Sequence, residues 1–428
     1  MKIALIVLDT LRDPSFDERF DWLPGTRFSN AWSTSRWTVP AHGSLFTGLY
    51  PSESGINAQS EYVGDQTTIF EELSETGYET YFLTANAQLS PPFGFGTSAD
   101  HIVQAGHASF VGKDIVRLSR IVDETEPGVG RYATFLKETM FGDEDVLPTL
   151  HNAIEAKLKE HNIRGYRDDG ASRFLKRLRR ESFPDDTFLF MNLMEPHAPY
   201  NAPPEYNPFG TQLNVDPFAA AFGDESPDAD RLERAYEANV SYLADVYERI
   251  YRDVLSEFDL VVTLGDHGEM FGEFGMWTHV MGVYPQLTSV PLVATTPGDT
   301  DDTSEKLVNF TDVYRTLKSA AGMDIDGVTL HNEQQRDHTI TEHHGITDRK
   351  SERIAGKGYD IPPEVLSTCR GVATRSGYWY QCSGGPRTVG NPPDDPEDLI
   401  ADMPDVVSGS DLDLTTGTQE QLEKLGYL

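Results

Sequence analysis

Short apolar runs alternate with helical patterns along most of the chain, and this alternation limits the possible folds more than any other feature. The segments between the runs, at 66–76, 171–181 and 231–257, carry apolar residues three and four positions apart, as helices that bury one face do. The alternation predicts an α/β fold with a mostly parallel central sheet covered on both faces. The runs are IALIVL at 3–8, TYFLTA at 80–85, TFLFMNLM at 187–194, LVVTLG at 260–265 and VPLVAT at 290–295.

The chain of 428 residues is long enough for one large domain and a smaller one. The alternation ends near residue 330, and RGVATRSGYWYQCSG at 370–384 has the pattern of antiparallel strands joined by turns. We therefore expect a main domain over 1–330 and a small C-terminal α+β subdomain over 331–428. A polar, helical insertion over residues 110–180 is expected to interrupt the main domain and to shape a substrate pocket.

The composition is strongly acidic, with 69 acidic and 35 basic residues and a formal net charge of −34. Because the acids are spread over the whole chain, they indicate a halophile-type surface rather than a site for one cationic partner, and they disfavour nucleic-acid binding. No apolar run approaches the roughly 20 residues that span a bilayer, and the first run is too short for a signal peptide. We expect a cytoplasmic protein without a membrane span; the sequence does not predict its oligomeric state.

Acidic residues follow two of the predicted strands. Asp9 ends the first strand, and Asp266, His267 and Gly268 follow LVVTLG. Since the carboxyl ends of parallel strands line one crevice, these side chains are expected to converge there. Two carboxylates and one imidazole suit Ca²⁺, Mg²⁺ or Mn²⁺. Taken alone, Asp9 fits a helix N-cap equally well.

The stretch SRWTVPAHGSLFTGLYPSESG at 35–55 has the pattern of a helix entrance. Pro40 suits the first turn of a helix, which is predicted to start near Pro40 and to run to the turn at Tyr50 and Pro51. Thr38 then lies at the positive end of the helix, where unpaired N–H groups bind anions. An ordinary capping role for Thr38 is the alternative.

The chain resembles the sulfatase-like branch of the alkaline phosphatase superfamily over residues 1 to about 325. The resemblance implies an alkaline-phosphatase-like α/β/α sandwich with a metal-dependent active site. It is carried by seven ordered segments: VLDTLR at 7–12, TVPAHGSLFTGLYPSESG at 38–55, ETGYETYFLTAN at 75–86, FLFMNLMEPHAPY at 188–200, GDHGEMFGEFGMWTH at 265–279, SVPLVA at 289–294 and FTDVYRTL at 310–317.

Residue by residue, the resemblance places Thr38 on the family's nucleophile and His42 on an arginine that follows it. It also implies that Thr10 replaces the second aspartate of an Asp-Asp pair. His197 and His279 fall on positions that contact the substrate or the transferred group. The metal ligands that the resemblance implies are Asp9, Thr38, Asp266 and His267.

Two departures from the family pattern matter for the chemistry. Sulfatases convert a cysteine or serine nucleophile to formylglycine, and threonine cannot become that aldehyde. Sulfatases also carry Lys-x-His after the strand that corresponds to TYFLTA at 80–85. This chain has Ala-Asn-Ala-Gln there, at 85–88. Threonine nucleophiles are familiar in relatives that cleave phosphodiesters or phosphonates, or that transfer phosphoglycerol units.

Two further groups contain metal-ligand residue types. Glu342, His343 and His344 are consecutive, but their spacing matches no two-metal pattern, so we expect one divalent ion. Cys369 and Cys382 have neither the CxxC spacing nor the histidine pairing of a thiolate metal site. Whether these two cysteines form a disulfide stays open.

The sequence thus predicts a hydrolase that cleaves a phosphate monoester, phosphate diester or sulfate ester through Thr38, with His197 or His279 as proton donor and His42 tuning the site or packing. The substrate is expected to be a small-molecule, glycan or lipid anionic ester. The alternatives are a phosphoryl transferase of the phosphoglycerol type, a phosphomutase-type isomerase and a non-catalytic protein that binds anions.

Overall fold

The computed structural model describes residues 1–57, 63–64, 66–111, 168–346, 348–359, 366–382 and 385–404. Its main sheet has eight strands in the order β10-β2-β9-β6-β1-β5-β3-β4. All neighbours pair in parallel except β9, which is antiparallel to both β2 and β6. The strands are β1 Lys2–Leu8, β2 Thr26–Trp32, β3 Glu79–Thr84, β4 His101–Gln104, β5 Thr187–Leu193, β6 Leu260–Gly265, β9 Leu292–Thr295 and β10 Asp302–Asn309.

The register of the central strands sets the position of the site. Leu8 at the end of β1 pairs with Leu193 at the end of β5 and with Gly265 at the end of β6. The three carboxyl ends therefore lie side by side, as the apolar runs predict. Nearly every side chain of these strands is buried, which explains why their sequences lack the polar alternation of half-exposed strands.

Helices cover both faces of the sheet and agree in type with the three predicted segments. The long helix α7, Ala229–Leu255, has apolar residues three and four positions apart within the predicted segment 231–257. These residues are completely buried: Tyr236, Val240, Leu243, Val246 and Ile250. The helices are α1 Asp13–Arg19, α2 Thr38–Thr47, α3 Pro51–Ser54, α4 Ile69–Glu75, α5 Ala171–Leu178, α6 Pro217–Phe222, α7 Ala229–Leu255, α8 Pro285–Thr288, α9 Phe310–Ala320 and α10 Asp348–Gly356.

Helix α2 begins earlier than its proline suggests. Its first residue is Thr38, and the extended residue before it is Trp37. Pro40 lies in the first turn, where its missing N–H leaves no hydrogen bond unmade, so the proline does not mark the helix boundary. The helix ends at Gly48, whose φ of 72° is in the left-handed region, and all ten of its residues are buried.

A second, antiparallel sheet contains β11 Thr339–His344, β12 Thr368–Ala373, β13 Gly377–Cys382 and β14 Gly385–Gly390 in chain order. The predicted antiparallel strands at 370–384 correspond to β12 and β13. This small sheet packs against the main one, with the rings of Trp32 and Tyr378 stacked at 4.4 Å. A short hairpin, β7 Met270–Phe271 and β8 Trp277–Thr278, follows β6.

The boundary at 330/331 remains a prediction. Most of the expected insertion, residues 112–167, lies outside the described residues. Within the part of the chain that the structure describes, no helix is long and apolar enough to cross a membrane.

Candidate active site

Asp9, Asp266 and His267 meet at the carboxyl ends of β1 and β6. Each offers one ligand atom within 4.8 Å of the others, and all three side chains are completely buried. The Nε2 atom of His267 lies 3.8 Å from Asp9 Oδ1 and 3.5 Å from Asp266 Oδ2. Two carboxylates that are completely buried need a compensating positive charge, and a divalent cation would supply it.

Backbone geometry at the end of β1 assigns separate roles to the two oxygens of Asp266. Thr10 has a φ of 60°, which is strained for a β-branched residue, and its N–H donates to Asp266 Oδ1 at 3.1 Å. The N–H of His267 donates to the same oxygen at 3.0 Å. Asp266 Oδ2 and Asp9 Oδ1 have no hydrogen-bond partner among the described residues. These two oxygens fit a bound cation, and the peptide N–H groups of Thr10 and His267 fix the Asp266 carboxylate through its other oxygen.

The predicted nucleophile lies within this group. Thr38 begins α2, and its Oγ1 is 3.3 Å from His267 Nε2. Asn86, which follows β3, donates from Nδ2 to Asp9 Oδ2 at 2.9 Å and to Thr38 Oγ1 at 3.4 Å. Asn192 on β5 also donates to Asp9 Oδ2, at 3.2 Å. The structure therefore brings together the predicted metal ligands and the predicted nucleophile.

Asn86 is a site residue that the sequence interpretation missed. At the sequence level Asn86 is only one residue of the Ala-Asn-Ala-Gln that replaces the family's Lys-x-His. It nevertheless closely follows a parallel strand, which is the same signal that identifies Asp9. Asn192 carried no such signal, because it lies inside an apolar strand.

Burial fixes the protonation of two histidines. The Nδ1 of His267 contacts the carbonyl oxygen of Gly268 at 2.9 Å, which directs Nε2 towards the carboxylates. Burial lowers the pKa of His267 well below its ordinary value, so the imidazole is neutral and can act as a ligand. Burial also lowers the pKa of His42 to about 4. His42 is bonded to the Thr38 carbonyl at 2.8 Å and does not replace the positive charge of the family's arginine.

The two carboxyl groups differ in their electrostatics. Burial raises the pKa of Asp266 well above its ordinary value, and the charge of Asp9 raises it further. Burial also opposes ionisation of Asp9, but the interaction with the His197 imidazole and the hydrogen bond from Asn86 outweigh it and hold the pKa of Asp9 below its ordinary value. Asp9 is thus the more ionised of the pair, and a bound cation would favour ionisation of both.

His197 and His279 are partly exposed histidines near the buried group. The His279 ring lies 4.5 Å from the His267 ring and 5.1 Å from the His197 ring, centroid to centroid. Nδ1 of His279 is 3.0 Å from Oε1 of Glu269, a completely buried carboxyl that also accepts from the Tyr200 hydroxyl at 3.1 Å. Burial raises the pKa of Glu269 to about 8. Glu269 is not among the site residues predicted from sequence, although it directly follows the DHG motif.

The Glu342, His343 and His344 segment has contacts of a different kind. The Glu342 carboxylate accepts from the Ser52 N–H at 2.9 Å and from Arg370 Nε at 3.2 Å. His343 Nδ1 accepts from Arg36 Nε at 2.9 Å, and Arg36 also donates to the carbonyl oxygen of His279. These bonds join the small sheet to the segment around Thr38. Among the described residues, Asp9, Asp266 and His267 are the group whose ligand atoms converge.

The Sulfatase family model matches residues 14–323, and the chain belongs to that family. Members of the family bind a divalent metal ion, which agrees with the buried Asp9, Asp266 and His267 group. The resemblance stated from sequence is confirmed.

Two curated relatives are similar over part of the chain. The low-salt glycan biosynthesis sulfotransferase Agl7 of Haloferax volcanii is 25% identical over 194 residues, which are 44% of this chain and 44% of the relative. The choline-sulfatase of Rhizobium meliloti is 31% identical over 102 residues, 23% of this chain and 20% of that protein. The chain thus matches less than half the length of either relative. The Haloferax match agrees with the halophile-type surface that the acidic composition indicates.

One solved structure is similar in fold to nearly the whole chain. The phosphonate monoester hydrolase of Silicibacter pomeroyi superposes with a TM-score of 0.61 and 16% identity, covering 99% of this chain and 93% of that one. At this identity the likeness concerns the fold, and it confirms the predicted α/β/α architecture.

Proposed function

We propose that the chain is a metal-dependent hydrolase that cleaves a phosphate monoester, phosphate diester or sulfate ester with Thr38 as its nucleophile. The observation that carries the proposal is the position of the Thr38 hydroxyl, whose Oγ1 lies 3.3 Å from His267 Nε2 within the buried ligand group. If the Thr38 hydroxyl only capped the helix, nothing would require it to lie beside potential metal ligands. Membership of the sulfatase family supports ester hydrolysis as the reaction class.

The residues that would hold the ion are Asp9, Thr38, Asp266 and His267. Their oxygen and imidazole donors suit one Ca²⁺, Mg²⁺ or Mn²⁺ ion. When bound, such an ion lowers the pKa of a coordinated hydroxyl and stabilises negative charge on the oxygens of the transferred group. Formylglycine has no part in the proposal, because the nucleophile position holds threonine.

Thr38 acts by nucleophilic catalysis. The Thr38 hydroxyl loses its proton to solvent, and its Oγ1 forms a bond to the phosphorus or sulfur atom while the bond from that atom to the leaving-group oxygen breaks on the opposite side. The N–H groups at the start of α2 stabilise the negative oxygens of the transferred group. Water then attacks the covalent ester, and Thr38 Oγ1 leaves with a proton.

His279 is the proposed proton donor to the leaving-group oxygen, with His197 as the second candidate. Nδ1 of His279 is engaged by Glu269 Oε1 at 3.0 Å, so in this proposal Nε2 is the atom that delivers a proton to the leaving group. An imidazole suits this role because it exchanges protons near neutral pH. Glu269 holds the ring in place, and Tyr200 in turn holds Glu269.

Transfer to an acceptor alcohol is the second candidate function. It is favoured by the similarity to a relative named as a glycan biosynthesis sulfotransferase. The chemistry requires one change, since an acceptor hydroxyl replaces water in the second step. Both forms of the proposal take an anionic ester of a small molecule, glycan or lipid as the donor.

The test compares hydrolysis of an aryl sulfate, an aryl phosphomonoester and a bis-aryl phosphodiester in concentrated salt with added Mg²⁺, Ca²⁺ or Mn²⁺. We expect turnover of at least one ester, abolished by a chelator and reduced at least about 10³-fold in Thr38→Ala. Thr38→Ser keeps a hydroxyl and is the matched control that should retain activity. Turnover that survives Thr38→Ala would overturn the nucleophile assignment.

The same assay separates hydrolysis from transfer. An acceptor alcohol is added, and the ratio of transferred product to free phosphate or sulfate is measured. If the enzyme is a hydrolase, the share of transferred product should not exceed the share expected from the concentrations of alcohol and water. A transferase should instead give mostly the phosphate or sulfate ester of the added alcohol. Inactivity on all three donors, with and without the alcohol, would favour the non-catalytic anion-binding alternative.

A further inference from the structure

The two cysteines of the chain lie opposite each other across the small sheet. Strands β12 and β13 pair antiparallel with Arg370 opposite Gln381, so the next position outward places Cys369 opposite Cys382. Directly opposed residues point to the same face, with Cα atoms roughly 4.5–5.5 Å apart, within the range of about 4.4–6.8 Å that a disulfide requires. Both cysteines are present as thiols in the structure.

The two thiols differ in access and share one apolar cluster. Cys369 is buried, whereas Cys382 is partly exposed. The cluster around them includes Trp32, Tyr378 and Tyr380. Cys382 Sγ also accepts the N–H of Val283 at 3.2 Å, in the segment that follows His279. An oxidant would therefore reach Cys382 first, and Cys369 is positioned to react second.

The pair also belongs to a row of side chains that leads towards the active site. His343 on β11 is directly opposite Cys369, so His343, Cys369 and Cys382 lie in one row across three neighbouring strands. His343 is bonded to Arg36, which precedes the nucleophile helix. A covalent link between the two cysteines would therefore fix the part of the small sheet that contacts the wall of the site.

We propose that Cys369 and Cys382 form a reversible disulfide within one chain, which links β12 to β13. The oxidant is a low-molecular-weight disulfide. The thiolate of Cys382 attacks it and releases one thiol; Cys369 then attacks the mixed disulfide at the Cys382 sulfur and releases the second thiol. The net reaction consumes two protein thiols and one small disulfide and yields one protein disulfide and two small thiols. This inference is independent of the proposed hydrolase activity.

Reactivity at Cys382 should depend on pH. Hydrogen bonding with Cys369, together with burial, raises the pKa of the Cys382 thiol. Since the thiolate is the attacking species, exchange should be slow at neutral pH and faster in mildly alkaline buffer.

The test incubates the folded, full-length protein with oxidised glutathione at mildly alkaline pH and then titrates thiols after denaturation. Because the chain has two cysteines, the titration has no background from other residues. We expect the thiol count to fall from two to zero, a peptide map that joins Cys369 to Cys382, and full recovery with a dithiol reductant. Thiols that stay titratable, glutathione retained on both cysteines, or chains linked to each other would overturn the proposal.

Two single variants test the order of events. In Cys369→Ser the second attack cannot occur, so Cys382 should accumulate as a stable glutathione adduct. In Cys382→Ser the buried Cys369 should gain little adduct. The oxidised wild type should also melt at a higher temperature than the reduced form, whereas the double serine variant should not respond to oxidant. An unchanged melting temperature of the oxidised wild type would contradict the linking of the two strands.

Discussion

Asn86 contacts the proposed nucleophile and a proposed metal ligand with one amide group. Its Nδ2 donates to both Asp9 Oδ2 and Thr38 Oγ1, and the side chain is completely buried. Asn192 donates to the same Asp9 oxygen. The two asparagines therefore orient one carboxylate between them, and Asn86 also contacts the hydroxyl that is proposed to react.

The pair of asparagines offers a matched comparison. We expect Asn86→Ala and Asn192→Ala each to weaken metal binding, by about 10-fold to 100-fold, because residues that orient metal ligands typically have effects of this size. At saturating metal, kcat should remain reduced in Asn86→Ala and recover in Asn192→Ala. Calorimetric metal titration and steady-state kinetics measure the two effects. Equal kcat for the two variants at saturating metal would remove the role assigned to Asn86.

Glu195 gives a prediction about stability and pH. Its carboxyl is 2% exposed, accepts the Ala171 N–H at 2.9 Å through Oε1, and has no hydrogen-bond partner at Oε2 among the described residues. Burial raises its pKa well above the ordinary value of 4.5, with further increases from Asp168 and Asp169. The folded state thus holds a proton that the unfolded state releases, so stability is full below about pH 4.5 and falls as pH rises towards the folded pKa.

Glu195→Gln removes this dependence, because the amide stays neutral. We expect the variant to have a higher melting temperature than the wild type at pH 8 and a similar one at pH 4.5. Thermal unfolding at the two pH values measures the difference. Glu225 is exposed, and Glu225→Gln is the control. This variant should show the same change in melting temperature between pH 4.5 and pH 8 as the wild type. A Glu195→Gln variant that is less stable at pH 8 would show that this carboxyl is ionised and stabilising in the folded protein.

At the scale of elements, helix α2 places Thr38 near the strand ends with its first residue and packs against α9 with its last turn. Gly48 ends α2 with a φ of 72°, and a Cβ there would lie 2.4 Å from the Tyr314 ring. Gly55 ends the next helix, α3, with a φ of 76° and open space around the Cβ position. The two glycines share a backbone conformation and differ in packing.

This contrast separates backbone strain from steric overlap. Gly55→Ala should lower the free energy of unfolding by about 1–2 kcal/mol, the cost of a left-handed non-glycine residue. Gly48→Ala should add the cost of overpacking against Tyr314, for a total of about 2–5 kcal/mol. Denaturant unfolding monitored by circular dichroism measures both. If both variants lose the same free energy of unfolding, the Tyr314 ring moves aside without an energetic cost.

At the scale of the whole molecule, the net charge of −34 acts on every element at once. Like charges on one surface repel, and salt reduces this repulsion because the Debye length falls from about 10 Å at 0.1 M to about 3 Å at 1 M ionic strength. We expect the melting temperature to rise as KCl is added, with most of the screening gain below about 1 M. A melting temperature that does not change, or that falls, would contradict the halophile-type interpretation.

The sequence alone determined the α/β architecture and the strand ends that carry the site. Apolar runs bounded by Asp9 and Asp266 specify buried parallel strands, because a strand covered on both faces has no polar alternation, and parallel strands bring their carboxyl ends to one edge. The position of Thr38 followed from helix-entrance chemistry. These signals are local in sequence, so they could be interpreted without knowledge of the fold.

The tertiary structure decided which distant residues meet and how burial changes their chemistry. The contact of Asn86 with Asp9, the support of His279 by Glu269, the neutral state of His42 and the opposition of Cys369 and Cys382 depend on strand order, register and solvent exclusion. Register is a property of two strands together, and desolvation depends on everything packed around a group. A single sequence does not encode either in a local pattern.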